Sequence, residues 1–151
     1  MLSAITRLQK ISNHPALLAP NKGGKDIEKY QRDSDFEKFA FGEDYETIKE
    51  HINTGNDHLI CGKLKVLKSL LGVWKKKGSK VLLFSQSTKN MDILELFLKR
   101  EKHSFNRLDG TIAAANRQKI VDNFNNSPSK FIFLISTKAG GLGLNLGNIL
   151  I

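Results

Sequence analysis

The stretch FIFLISTKAGGLGLNL, residues 131–146, begins with five apolar residues, continues through Ser136, Thr137 and Lys138, and ends in a loop with three glycines. A continuous apolar run predicts a strand that is buried on both faces of a parallel sheet. A glycine-rich loop after such a strand lets main-chain N–H groups approach an anion closely. The stretch therefore predicts either an anion-binding loop or a plain turn that brings a strand close to a helix.

The segments before this stretch alternate between two periodicities. Apolar residues at helical spacing occupy 64–74, 93–98 and 120–124, and short apolar strands occupy 81–84 and 105–108. This alternation indicates a parallel α/β sheet with right-handed connections. Ligands of such sheets bind beyond the carboxyl ends of the strands, which here are followed by 85–88, 109–111 and 136–145. We therefore expect three polar or glycine-rich loops on one rim.

The charge of the chain is unevenly distributed. Residues 26–50 contain nine acidic and four basic side chains, a net charge of −5, whereas the whole chain carries +9. Removing that −5 from the +9 of the whole leaves +14 for the remainder. Such a charge indicates either a polyanionic partner, such as a phosphate backbone, or a lysine-rich solvated surface.

Composition excludes several classes of protein. The longest apolar runs, at 81–84 and 131–135, are far too short to cross a bilayer, so no membrane partner is expected. The beginning, MLSAITRLQK, lacks the apolar region of a secretory signal. The single cysteine, Cys61, excludes an internal disulfide framework and fits a reducing compartment. We expect it to be a small buried hydrophobe.

Other nucleotide and metal motifs fit poorly. The nearest match to a phosphate loop, GNDHLICGKL at 55–64, has two residues too many between its glycines and lacks the hydroxyl that holds magnesium. The dinucleotide pattern fails at Leu146, where its third glycine would stand. His58 and Cys61 supply two metal ligands, whereas zinc needs three or four. For His14, His51 and His103 we expect surface or capping roles, and we predict no catalytic residue and no metal ligand.

Three motifs in order closely resemble the second motor lobe of Swi/Snf-type ATPases, within the superfamily-two helicase class. They are KVLLFSQSTKNMDILELFL at 80–98, RLDGTIAAANRQKIVDNFN at 107–125 and ISTKAGGLGLNL at 135–146. LQKISNHPALL at 8–18 is similar to the helix that leads into that lobe, and GKLKVLKSLL at 62–71 to its next helix. The closest similarity is to the Cockayne-syndrome-B-like and excision-repair-like branch.

The resemblance implies a RecA-like parallel sheet flanked by helices, truncated in this chain. It implies a lead-in helix at 1–18, a variable and partly disordered insertion at 19–57 holding one or two short helices, and an incomplete C-terminal lobe at 58–151. Carried over by position, it implies DNA-binding roles for Gln86, Ser87, Gly110, Thr111, Arg117, Ser136, Thr137 and Lys138. It implies nucleotide-binding roles for Gly140, Gly141, Gly143 and Asn145.

The function implied by the resemblance is that of the C-terminal lobe of a nuclear DNA-dependent ATPase or translocase in chromatin remodelling or DNA repair. The implied partners are double-stranded DNA, the missing first motor lobe, and chromatin or repair proteins. ATP with Mg²⁺ is implied for the complete motor, without tight binding or activity in this chain alone. The alternatives are a non-enzymatic nucleic-acid-binding or regulatory fragment and, third, a small nucleotide-dependent enzyme.

Overall fold

The computed structural model describes residues 2–20 and 26–140. The chain divides into two compact units, Met1–Lys68 and Ser69–Ile151. Helices and strands follow one another in the order α1 (Leu2–Asn13), α2 (Ile27–Phe41), α3 (Tyr45–Thr54), α4 (Gly62–Lys76), β1 (Val81–Ser85), α5 (Thr88–Arg100), β2 (Phe105–Leu108), α6 (Ala114–Asn126), β3 (Ile132–Ser136) and α7 (Thr137–Gly140). None of the helices in the described ranges combines the length and apolar character that a membrane span needs.

The three strands of the second unit form one parallel sheet in the order β1–β3–β2. In the register of this sheet Ser85 lies beside Ser136, and Leu108 lies beside Ile135. β3, which comes from the stretch that opened the sequence analysis, is the central strand, and all five of its residues are buried. The predicted parallel α/β sheet is therefore confirmed, and its centre is the strand with the most continuous apolar sequence.

One face of the sheet packs against α6. Phe124 of α6 meets Phe133 of β3, with ring centroids 5.0 Å apart and ring planes inclined by 34°. Leu108 and Val121 complete this fully buried cluster, and Leu82 packs against it. Because alternate residues of a strand face opposite sides of the sheet, the apolar strand sequence supplies both faces with core side chains.

The apolar run at 81–84, which became β1, would also suit a strand that is covered on both faces, but this expectation is wrong at Phe84. Its side chain is 51% exposed, whereas Leu82, on the same face, reaches the α6 cluster. β1 pairs with β3 on one side only within the described sheet. A strand whose first four residues are all apolar is therefore only partly buried, because it lies at the edge of the described sheet.

In the first unit the segment after α1 is held by buried polar contacts. His14 is 1% exposed, and its Nδ1 accepts a hydrogen bond from the Ala16 amide at 3.1 Å, which caps a 3₁₀ turn at Pro15–Leu18. Its Nε2 lies 3.4 Å from a carboxylate oxygen of Asp57. The capping role expected for histidine is confirmed here, but a surface position is wrong, because a buried ring can pair with a buried carboxylate.

The predicted insertion contains two helices, α2 and α3, in its described part. The Asp26 carboxylate caps α2 by accepting the Lys29 amide hydrogen at 2.8 Å, and Gly55, with φ of 79°, ends α3. The carboxylate of Glu37, which is 1% exposed, accepts hydrogen bonds from Lys49 at 3.1 and 3.2 Å. That the insertion is variable and partly disordered stays a prediction.

Cys61, which follows the insertion, is buried, as expected.

The packing of the α6 face gives a direct test with two phenylalanines. We expect Phe124→Ala to lower the free energy of unfolding by about 3–5 kcal/mol, because it leaves a cavity beside Phe133. Phe84→Ala, a control that makes the same truncation in β1, should cost less than half as much, because about half of that residue is already exposed. Urea unfolding followed by circular dichroism measures both, and equal losses would contradict this packing.

Candidate nucleic-acid interface

The carboxyl ends of the three strands lie at one edge of the sheet, here called the carboxyl rim. β1 ends at Ser85, β2 at Leu108 and β3 at Ser136, and the parallel register brings these ends side by side. The segments that follow are 86–87, 109–113 and α7. This arrangement confirms that the three strand ends share one rim, with loops after β1 and β2. The third predicted loop, 136–145, begins as α7, and its residues 141–145 lie outside the described ranges.

The loop after β1 contains two predicted DNA-binding residues, Gln86 and Ser87. Ser87 caps α5, because its Oγ accepts the Asn90 amide hydrogen at 3.4 Å. The Asn90 side chain also donates to the Oγ of the buried Ser85 at 3.1 Å, which fixes the loop from below. Gln86 and Ser87 are both exposed. Of the two residues predicted here, Ser87 also has a structural role as a helix cap, so Gln86 is the one whose side chain is not engaged in capping.

The loop after β2 is organised by a buried carboxylate, Asp109. One of its oxygens accepts hydrogen bonds from the Thr111 amide at 2.9 Å and from the Thr111 hydroxyl at 2.6 Å. Its other oxygen accepts from Nε of Arg107 at 2.8 Å. Gly110 and Thr111 remain exposed above this carboxylate. The turn is thus held from inside, in the way that aspartate side chains commonly stabilise turns.

Arg107 connects this turn to α5. Its guanidinium donates to Asp92 and to Glu95, both at 2.7 Å, in addition to Asp109. Burial lowers the pKa of Arg107, but the hydrogen bonds to these three carboxylates outweigh it and raise the pKa above the usual value. Arg107 is therefore neutralised by its own neighbours and is not a phosphate ligand, although it lies in a loop-forming motif of a basic chain.

The pKa of Asp109 is held below its usual value. The hydrogen bond from the Thr111 hydroxyl contributes most, burial opposes it, and the Thr111 amide and Arg107 add to the lowering. Sequence reasoning did not single out Arg107 or Asp109 as site-forming residues. The order Arg-Leu-Asp-Gly-Thr at the end of a strand, with a carboxylate two residues after an arginine, is the signal that could have indicated them.

Arg117, on α6, braces the same loop. Its Nε donates to the carbonyl oxygen of Ile112 at 3.1 Å, and the side chain is half-buried. Within the described ranges no carboxylate pairs with its guanidinium, so its positive charge is not cancelled locally. The residue thus combines a structural contact with a charge that remains near the carboxyl rim.

In the segment after β3, as in the other two, a buried side chain holds the backbone and exposed side chains follow it. Ser136 is buried, and its Oγ accepts the Ala139 amide hydrogen at 3.2 Å. Thr137 and Lys138 are exposed. Gly140 is the last residue of α7, and the other predicted nucleotide-binding residues, Gly141, Gly143 and Asn145, lie outside the described ranges.

The described residues do not by themselves form a site for ATP with Mg²⁺. Among them no group of three or more His, Cys, Asp or Glu side chains is arranged to hold a metal ion. The buried carboxylate at the carboxyl rim, Asp109, is already occupied by Arg107 and Thr111. A magnesium ion needs free carboxylate oxygens together with phosphate oxygens, so no step is assigned to the nucleotide here.

A parallel sheet with polar loops on its carboxyl rim defines a class of α/β lobes that bind ligands at their strand ends. Residues 62–150 match the helicase conserved C-terminal domain, which is more than half of the chain. The chain belongs to this helicase C-terminal family.

Two curated relatives confirm the resemblance to Swi/Snf-type and excision-repair proteins. "Switch 2" of Arabidopsis thaliana is 46% identical over 97% of this chain and 17% of its own length. "DNA excision repair protein ERCC-6" of Homo sapiens is 38% identical over 97% of this chain and 9% of its own length. The chain therefore spans less than a fifth of the length of either relative.

A solved structure has the same fold. The Sulfolobus solfataricus SWI2/SNF2 ATPase core in complex with dsDNA superposes with a TM-score of 0.59. It is 21% identical in sequence, and the match covers 89% of this chain and 22% of that one. At this identity the similarity establishes the fold, which is the predicted RecA-like C-terminal lobe.

The carboxylate under the turn predicts an acid-dependent loss of stability. The pKa of Asp109 is lower in the folded chain than in the unfolded chain, so its contribution is present above about pH 4 and disappears as pH falls through the folded pKa. We expect Asp109→Asn to lower the free energy of unfolding at pH 7 by about 1–3 kcal/mol and to flatten its acid dependence.

The control for this variant is Asp122→Asn on α6, whose exposed carboxylate accepts only the Gln118 side chain at 2.8 Å among its described contacts. It should change the free energy of unfolding by less than about 0.5 kcal/mol. Urea unfolding at pH 7 and at several values below pH 5 measures both variants. Identical pH profiles for Asp109→Asn and the parent would show that the carboxylate does not hold the turn.

Proposed function

We propose that this chain is the C-terminal motor lobe of a Swi/Snf-type DNA-dependent ATPase or translocase that acts in chromatin remodelling or DNA repair. The observation that carries the proposal is the carboxyl rim, where capped loops display Gln86, Thr111 and Lys138 side by side. The relatives support the process, since one is named as an excision repair protein. The structural neighbour of the same fold, crystallised with dsDNA, supports the ligand.

The chemistry of the carboxyl rim suits a phosphate backbone rather than base edges. Lys138 and Arg117 provide positive charge, and the Gln86 side chain provides a neutral donor. Thr111 lies beside them, but its amide and its hydroxyl already donate to Asp109. Contacts of this kind set the position of a protein on DNA without reading its sequence. A motor that moves along DNA needs such contacts, because each step must be independent of the bases that it passes.

ATP with Mg²⁺ is the cofactor that we propose for the complete motor. Its family is a family of ATPases, and we assign the approach to the nucleotide to Gly140, Gly141, Gly143 and Asn145. Phosphoryl transfer requires charge stabilisation on both sides of the γ-phosphate. We therefore infer that a first lobe holds most of the nucleotide and is a partner of this lobe, together with chromatin or repair proteins in the nucleus.

The DNA contact is tested by removing the two positive charges. For Arg117→Ala/Lys138→Ala we expect weaker binding of duplex DNA and a log–log salt slope that is flatter by up to about two units, at about 0.9 per phosphate. Fluorescence anisotropy over a range of salt concentrations measures the slope. Because Arg117 also braces Ile112, Lys138→Ala alone should flatten the slope by about one unit with an unchanged melting temperature.

Lys10→Ala/Lys38→Ala is the matched control, since it removes two exposed lysines of the first unit. It should leave most of the salt slope intact. If the parent's DNA binding is insensitive to salt, or if Arg117→Ala/Lys138→Ala binds as the parent does, the carboxyl rim is not the DNA site.

A second test asks whether the main chain at Gly110 contacts DNA, independently of any role of this glycine in folding. A Cβ placed there would meet no heavy atom within 4 Å, so packing does not require glycine. We expect Gly110→Ala to leave the melting temperature unchanged and to weaken DNA binding by about 2- to 10-fold, the equivalent of one hydrogen bond. Gly72→Ala on α4, where a Cβ also has free space, should leave DNA binding unchanged. Unaltered binding by Gly110→Ala would remove the Gly110 amide from the interface.

A further inference from the structure

The opposite end of the sheet, where the strands begin, contains an open cleft of about 490 Å³. We call it the amino-rim cleft. Its walls come from the segments that enter all three strands and from the ends of α4 and α6, and they include Lys75, Lys80, Ser104 and Lys130. None of the predicted DNA or nucleotide residues within the described ranges lines it.

The helix ends near this cleft do not leave it negatively charged. A helix C-terminus normally contributes a partial negative charge through its free carbonyl groups. After α4, the Gly78 amide donates to the Lys75 carbonyl at 3.1 Å, and after α5 the His103 amide donates to the Leu98 carbonyl at 3.0 Å. Both helix ends are therefore satisfied by the main chain that follows them.

The end of α6 is capped by a lysine. Lys80 Nζ donates to the carbonyl oxygens of Phe124 and Asn125, the latter at 3.0 Å, and it also lies 4.9 Å from the centre of the Phe124 ring. A cation at this position offsets the dipole of the helix. The remaining lysines therefore determine the sign of the charge in the amino-rim cleft.

In the described ranges three lysines line the cleft, Lys75, Lys80 and Lys130, and Lys80 is the one engaged as the cap of α6. The segments that supply the lining, 75–80, 101–104 and 125–131, together contain six lysines and one glutamate, a net charge of +5. In the described ranges neither Lys75 nor Lys130 forms an ion pair with a carboxylate. Burial lowers the pKa of His103, and the positive charge of Lys75 lowers it further, so the excess charge is felt by a neighbouring ring.

The walls of the amino-rim cleft are preformed. The Ser104 hydroxyl donates to the Ser129 carbonyl and accepts the Phe131 amide hydrogen at 3.2 Å, which ties the entry of β2 to the entry of β3. The Lys130 amide donates to the Ser127 carbonyl at 3.2 Å and fixes the turn before β3. A ligand would therefore meet lysines that extend from an ordered backbone, so the backbone of the cleft need not be ordered on binding.

We propose that the amino-rim cleft binds the phosphate backbone of a second duplex segment, separate from the one at the carboxyl rim. The cleft is open, and its lysines come from three different segments, the end of α4 and the entries of β1 and β3, which suits several phosphates of a backbone better than a single small anion. Lysine is depleted in protein–protein interfaces, and Phe131 is the only aromatic residue in the lining, so an acidic protein fits less well.

The two rims cannot share one straight duplex. They lie at opposite ends of strands of about five residues, roughly 17 Å apart. Double-stranded DNA has a persistence length of about 150 base pairs and does not bend around a body of this size without a large energy cost. Occupation of both rims therefore means two duplex segments for each lobe.

The test is the number of short blunt-ended duplexes bound per chain, measured by native mass spectrometry and by sedimentation. We expect the full chain to bind two, and Lys75→Gln/Lys130→Gln to bind one, with a salt slope flatter by up to about two units. Lys10→Gln/Lys38→Gln, which removes the same charge from the first unit, should still bind two. Arg117→Ala/Lys138→Ala should bind one, at the amino-rim cleft.

A site-specific readout locates this second duplex. In Arg117→Ala/Lys138→Ala, duplex addition should shift the ring NMR resonances of His103, because phosphates beside Lys75 change the charge that this ring experiences. In Lys75→Gln/Lys130→Gln that shift should be lost. Since only the latter variant alters the cleft, the two results distinguish failure of the cleft from failure of the DNA site assigned under the proposed function.

Three outcomes would overturn the proposal. The first is that Lys75→Gln/Lys130→Gln binds two duplexes with the parent's salt slope. The second is that the Lys10→Gln/Lys38→Gln control loses the second duplex equally, which would show a diffuse charge effect. The third is that sodium tripolyphosphate binds the amino-rim cleft more tightly than the duplex does, which would make the ligand a small polyphosphate.

Discussion

The fold of the second unit depends on a central strand that is enclosed on every side. β3 pairs through its backbone with β1 on one edge and β2 on the other, and each of its five side chains is buried. Residues 132–135 of this strand are apolar, since a polar side chain there would be removed from water without a partner. Ser136, the last residue, is also buried but accepts the Ala139 amide hydrogen. Polar residues occur at the two ends of the strand, and both candidate ligand sites lie at those ends.

At the carboxyl rim, polar residues divide into those that build loops and those that face solvent. The buried residues form hydrogen bonds within the loops that follow the strands; they are Ser85, Asp109 and Ser136. Gln86, Thr111 and Lys138 are exposed next to them. Each loop thus has a buried residue that holds the backbone and an exposed residue next to it. An exposed residue contributes more to binding when the backbone that carries it is already ordered.

Much of this arrangement could be predicted from the sequence. Apolar strands alternating with helical periodicity gave the parallel sheet and the shared rim, because those signals are local and repeat along the chain. The exposure of Phe84, the burial of His14 and the network around Arg107 could not be predicted in the same way. Each depends on contacts between residues far apart in sequence, such as Asp57 for His14 and Glu95 for Arg107.

The network around Arg107 also shows why charge counts alone do not locate a nucleic-acid site. Arg107 is basic and follows a strand near the carboxyl rim, yet Asp92, Glu95 and Asp109 surround it and use its charge for folding. Lys138 and Lys130 lie at opposite ends of β3, and within the described ranges neither has a carboxylate partner. A cation surrounded by carboxylates has its charge neutralised within the fold, whereas an unpaired cation can contribute its charge to an external anion. Both ends of the sheet carry cations of the second kind.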